Sequence, residues 1–127
     1  MTEQVATTHH SLSTVVVYIS RHLSERIRLR DLSAAGGVSV RTLGYQILET
    51  YGTTPMAFVK QQRLNKARRL LEQASPSTAT VAGIARRCGF THMGQFSLDY
   101  KRSRGELPSD TLHRTVPRPP KAGAATS

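Results

Sequence analysis

The chain has one cysteine, no tryptophan and only 8 acidic residues among its 127. A single Cys88 cannot form an intramolecular disulfide and cannot build a zinc finger, which leaves a reducing compartment as the natural setting. The histidines (His9, His10, His22, His92 and His113) show no metal-ligand spacing such as His-Glu-x-x-His. A glycine-rich phosphate loop ending in Gly-Lys-Ser/Thr is missing, and the carboxylates are scattered singly. The chain therefore reads as a non-enzyme that takes no metal and no cofactor. No apolar run approaches the roughly 18 residues a membrane span requires. The first residues, MTEQVATTHH, lack the basic-then-apolar order of a signal peptide. The expectation is a cytoplasmic protein that makes no membrane contact.

Positive charge is what the chain has in excess. Lys and Arg number 18, for a formal net charge of +10 and a pI near 10.9. Such a balance favours a polyanionic partner. Charge alone does not choose between DNA, RNA and an anionic surface.

Apolar periodicity points to an all-α fold of about seven helices. Strand-like β-branched runs are almost absent. The run Val15-Val16-Val17 continues into Ile19 and Leu23, which places Val15, Ile19 and Leu23 on one helical face. Helices are expected at about 12–24, 30–36, 40–50, 55–74, from after Thr80 to Cys88-Gly89, 92–103, and from Pro108 to near Arg114. Ser39 and Thr54 are the expected N-caps of the third and fourth, with Pro55 in a first turn that needs no N–H. Residues 1–10 and 115–127 are expected to be disordered ends around a domain spanning 11–114.

An internal repeat is the strongest signal. Leu29, Leu32, Gly37 and Val38 align with Val81, Ile84, Gly89 and Phe90 at an offset of 52. Leu43, Ile47, Gly52 and Pro55 align with Phe96, Tyr100, Gly105 and Pro108 at an offset of 53. Each copy reads as a short helix, a glycine turn and a second helix. Two helices so short need a third to close a core. The first helix can serve the first copy through Tyr18, Ile19 and Leu23, and Leu112 the second. The pattern is that of a helix-turn-helix, whose second helix enters the DNA major groove.

The stretch from Val17 to Arg114 resembles the DNA-binding domain of AraC/XylS-type transcription regulators. In the first half the resemblance rests on IRLRDLSAAGGVSVRTL and YGTTPMAFVKQQRLNKARRLL. In the second it rests on VAGIARRCGF, HMGQFSLDYKRSRGELPS and TLHR. It implies two homeodomain-like helix-turn-helix subdomains, at about 29–50 and 80–103, joined by a long linker helix at 55–74. It also implies double-stranded DNA as partner, with RNA polymerase as a candidate second one. Members usually carry a separate effector or dimerisation domain, and no effector pocket is apparent in this chain.

A linker helix of about 20 residues is roughly 30 Å long, against about 34 Å for one turn of B-DNA. A monomer could thus place two recognition helices in successive major-groove segments. With Leu43 and Ile47 facing the core, the third helix presents Val40, Arg41, Gly44 and Tyr45 as base readers. Arg41 is the leading candidate, because a guanidinium can donate twice to guanine. A phosphate contact is its alternative. With Phe96 and Tyr100 inside, the sixth helix presents His92, Met93, Gln95 and Leu98. Gln95 could pair with adenine. Where the family commonly has a long polar residue and then Arg, this chain has Gly44 and Tyr45; Leu98 also stands where many members carry Arg. Lys60, Arg63, Arg86, Arg87, Lys101, Arg102 and Arg104 are candidate phosphate contacts. Arg63, Lys66 and Arg69 could instead form a solvated face, and Cys88 reads as a buried structural thiol. The competing function is a non-specific basic nucleic-acid-binding helical protein.

Overall fold

The computed structural model describes residues 2–114, with side chains from Ser11 onward. The element order is α1 (Thr2–Arg21), α2 (Leu29–Gly36), α3 (Val40–Tyr51), α4 (Pro55–Gln73), α5 (Val81–Arg87), α6 (Met93–Arg104) and α7 (Pro108–Arg114). Among the described residues there is no strand. The seven expected helices are present, with one correction. The first begins at Thr2 rather than near residue 12, and so runs through residues expected to be a disordered N-terminus. The segment from Thr2 to Arg21 contains no Pro and no Gly, so nothing in it interrupts a helix. The expected disordered tail at 115–127 lies outside the described residues.

The chain divides into two compact units, with the boundary inside α4 between Arg63 and Leu64. In the first unit Leu12, Val15 and Ile19 of α1 line up at helical spacing. They pack with Leu23, Ile27, Leu32, Leu43, Ile47, Phe58 and Val59. α2 has only 8 residues, and Leu32 is its one fully buried side chain. A helix that short does not hold alone in water. Burial of a leucine contributes roughly 1.5–3 kcal/mol, so this side chain is the main anchor of α2. Gly36, its last residue, lies hard against α1. A Cβ there would sit 2.9 Å from Val15 Cγ2 and 3.4 Å from the Ser11 carbonyl.

In the second unit Leu64, Ala67 and Leu71 of α4 pack with Ile84, Ala85, Cys88, Phe96, Tyr100 and Leu112. Phe96 meets Phe90 and Tyr100 at ring-centroid distances of 4.5 and 5.7 Å. Cys88 is fully buried. The Tyr100 hydroxyl bonds Thr111 Oγ1 at 2.8 Å, and Thr111 in turn donates to Glu106. This satisfies the hydroxyls that the core would otherwise strand.

The repeat is visible in the backbone. α3 and α6 each have 12 residues and start at positions 53 apart. Gly37 and Gly89, and then Gly52 and Gly105, all have positive φ, between 68° and 94°. That left-handed conformation is the one L side chains resist and helix-ending turns require. The starts of the helices are capped from the sequence. Ser39 Oγ accepts from the Thr42 N–H at 3.1 Å, Thr54 Oγ1 from Ala57 at 3.3 Å, and Thr80 Oγ1 from Gly83 at 3.0 Å. Asp31 and Asp110 accept from the backbone N–H three residues earlier, at 2.9 and 3.0 Å.

Candidate nucleic-acid interface

Each unit turns one side of its second helix inward and leaves the other bare. On α3, Leu43 and Ile47 are buried while Val40, Arg41 and Tyr45 are exposed, Tyr45 by 60%. Gly44 is half-buried, and a Cβ on it would meet nothing within 4 Å. Arg41 and Tyr45 are one turn apart and act as a pair. The Arg41 guanidinium carbon stands 5.7 Å from the Tyr45 ring centroid, and its Nη2 is 3.5 Å from the phenol oxygen. The second contact is at the limit of a hydrogen bond. The first is a cation–π contact worth about 0.5–1 kcal/mol at an exposed site, enough to bias a flexible side chain. Arg41 is thus held along the helix surface, with most of its donors left for a partner.

α6 presents a different set. Leu98 is 58% exposed, and Gln95 and His92 are exposed. His92 is the N-cap residue, and its Nδ1 lies 3.0 Å from Thr91 Oγ1. Met93 departs from expectation. It is half-buried and packs against the second core, because the first turn of α6 lies over that core. Gln95 Nε2 donates to Asp99 Oδ1 at 3.0 Å. Asp99 is only 7% exposed, so it fixes one end of the carboxamide and leaves the other end outward. Asp99 was not among the sequence candidates. The signal for it was the Gln–Asp spacing of four residues, a pair that faces itself on a helix. Leu48, 56% exposed and one turn beyond Tyr45, was also missed.

The arginine and lysine candidates divide into two groups. Lys60, Arg86, Arg87, Lys101 and Arg102 are exposed. Arg86 and Arg87 close α5, and Lys101 and Arg102 lie in the last turn of α6. Arg102 Nη1 is 3.9 Å from Asp99. Arg63 and Arg104 need correction as phosphate contacts. Arg63 donates through Nε to the Leu23 carbonyl at 3.0 Å and through Nη2 to that of Glu25 at 2.7 Å. It binds the loop after α1, whose carbonyls have no helical partner. Arg104 is half-buried and donates to Asn65 Oδ1. Both guanidiniums are used inside their own units.

A helix, a positive-φ glycine turn and a second helix with a bare outer face, present in two copies, define a double helix-turn-helix DNA-binding domain. A sequence profile described as a helix-turn-helix domain matches residues 32–114. The probable thc operon regulatory protein of Rhodococcus erythropolis is 40% identical over 102 residues, which is 80% of this chain and 30% of that protein. A solved structure of a probable AraC family transcriptional regulator from Rhodopseudomonas palustris has a TM-score of 0.74 and 37% identity, covering 84% of this chain and 98% of that one. The DNA-binding domain of AdpA, solved in complex with a target DNA, has a TM-score of 0.70 and 29% identity, covering 80% and 88%. The chain belongs to the AraC/XylS-type helix-turn-helix family. It spans about a third of the length of the first curated relatives it matches. Among the described residues no helix is long and apolar enough to cross a membrane.

Proposed function

We propose that this chain reads a specific double-stranded DNA sequence as the DNA-binding part of a cytoplasmic, non-catalytic transcription regulator. α3 and α6 are the readers. In the first unit Arg41 and Tyr45 read bases, and Val40 and Gly44 allow close approach. In the second, Gln95 reads with Leu98 and His92 beside it. Arg86, Arg87, Lys101, Arg102 and Lys60 hold phosphates, which supplies affinity without specifying sequence. The observation that carries this reading is the repeat itself: the same helix–glycine–helix unit occurs twice, each time with a solvent-facing second helix. Two such units in one chain support a single duplex site carrying two contact segments in successive major grooves. RNA polymerase is a second partner consistent with a regulator of this family.

Selection of bound sequences from a random duplex pool tests the proposal. The expected outcome is one enriched site with two short conserved segments. An unenriched pool, with RNA competing as well as DNA, would establish non-specific nucleic-acid binding instead.

A further inference from the structure

Asp99 is the one buried acidic residue among the described residues. Its Oδ1 accepts from Gln95 Nε2 at 3.0 Å, one turn earlier on α6, and Arg102 Nη1 stands 3.9 Å from the same oxygen. A carboxylate can only accept, so the atom of Gln95 that faces it has to be the nitrogen. A bond to a charged acceptor is also stronger than one between neutral groups. Turning the carboxamide over would set its oxygen against the carboxylate. Gln95 itself is exposed, so the amide oxygen and the second N–H are what it has left to offer a partner. The first unit has no such lock. Fifty-three positions earlier stand Thr42, whose hydroxyl accepts from Ser39, and Gln46, whose buried Oε1 has no hydrogen-bond partner.

We propose that Asp99 is a positioning residue for base reading: it holds the Gln95 carboxamide in the one orientation that selects adenine and rejects guanine. The inference rests on α6 being a reading helix. In the major groove adenine presents a donor, its N6 amine, beside an acceptor, N7. An amide meets both with its oxygen and the N–H next to that oxygen, which leaves the far N–H for Asp99. Guanine presents two acceptors, O6 and N7. The locked amide would set its oxygen against one of them, and the flip that relieves this would set it against Asp99. Cytosine N4–H and thymine O4 each satisfy only half of the pair. Asp99 thus acts through Gln95 and touches no base.

The test uses the whole chain and duplexes carrying the selected site, with each base pair of the second segment replaced in turn by the other three. Gln95→Ala identifies the position that Gln95 reads, as the one where preference collapses. There the parent should bind adenine over guanine by at least about tenfold, within the range of a good side-chain pair with a base. Asparagine has the shape of aspartate but can donate as well as accept, so it tolerates either face of the amide. Asp99→Asn should therefore narrow the preference to about threefold or less at that position, by tighter binding of guanine, and leave the other positions unchanged. Amide signals of α5–α7 check that the variant is folded. Should it not fold, the parent and Gln95→Ala still decide: a preference for guanine at the Gln95 position overturns the proposal. So does an undiminished preference in folded Asp99→Asn, or equal weakening on all four bases, which would make Asp99 structural only. An enriched site with any of these results sinks the positioning role and leaves sequence-specific reading intact. A pool that yields no enriched site sinks both.

Discussion

The two units share a plan but carry different chemistry on it. Residues 1–63 contain 7 basic and 4 acidic side chains, a net of +3; residues 64–127 contain 11 and 4, a net of +7. The reading helices differ in the same sense. Arg41, Tyr45 and Leu48 of α3 stand where α6 has Gly94, Leu98 and Lys101, 53 positions later. The first unit thus offers a stacked guanidinium–phenol pair on a helix whose single base is matched by a single acid. The second offers a carboxamide fixed by a buried Asp99, an apolar neighbour and a cationic last turn. A common backbone therefore does not imply a common mode of reading. Under the proposed function, the first unit leans on direct base contact and the second more on phosphate.

The largest effect expected concerns whether the units are separate at all. Leu32 and Ile84 occupy matching positions 52 apart, at 0 and 2% exposure. Truncating a core leucine or isoleucine to alanine costs about 2–5 kcal/mol. Leu32→Ala should strip amide-exchange protection from α1–α3 while α5–α7 keep theirs, and Ile84→Ala should do the reverse. Loss of protection throughout the chain in either variant would show one cooperative block.

A smaller effect separates the two helix junctions. Gly36 aligns with Cys88, yet one lies against Val15 with no room for a Cβ and the other buries a thiol. In Gly36→Ala, overpacking of about 1–3 kcal/mol opposes a helix-propensity gain of about 0.5–1 kcal/mol. The net expectation is a lower urea midpoint for the first unit. An unchanged or raised midpoint would mean that Val15 yields and that the close approach of α1 is not fixed by this glycine.

How much of this was legible beforehand follows from what kind of signal each feature sends. Helices, caps and turn glycines are local, so Ser39, Thr80 and the four positive-φ glycines could be read in sequence order. Core faces follow helical spacing, which is why Leu43, Ile47, Phe96 and Tyr100 were placed correctly. Long-range polar contacts send no local signal. Arg63 meets carbonyls 38 and 40 positions away, and Arg104 meets Asn65 across 39, so both looked like free surface charge. Met93 failed for a related reason: the face of a helix is set over several turns, but its first turn is tilted by what lies beneath. The early start of α1 was missed because residues 2–11 carry no apolar stripe to announce a helix.

Base reading should show a third, intermediate effect. Each good side-chain pair with a base is worth about 1–3 kcal/mol, roughly 5- to 150-fold in affinity. Arg41→Ala should weaken binding to the selected site within that range and scarcely change binding to unrelated duplex, as measured by fluorescence anisotropy. Gln95→Ala should do the same for the second segment, with a smaller loss if the second unit relies on phosphate. A drop of equal size on both duplexes would reassign Arg41 to the backbone.

The mildest effect is a dependence on pH that belongs to the second unit. Hydrogen bonds from Thr111 and Arg114 hold the Glu106 carboxyl below its ordinary value of 4.5. The folded state therefore binds that proton less tightly than the unfolded one. The contribution is complete above pH 4.5 and fades as pH falls through the lowered folded value. Burial acts oppositely on Tyr100, raising its hydroxyl above 10.0 despite the bond with Thr111. Its contribution is complete below pH 10.0 and is lost as pH rises through the raised value. Thr111 connects the two groups, so Thr111→Val and Glu106→Gln should both flatten the acid limb by lowering stability at neutral pH, Thr111→Val by more because it also removes the partner of the Tyr100 hydroxyl. Melting of the second unit, followed by its amide signals from pH 3 to 7, reads the difference. An acid limb as steep in Glu106→Gln as in the parent would remove Glu106 from the account. It would also show that the bonds converging on its carboxylate contribute little to holding α7 in place.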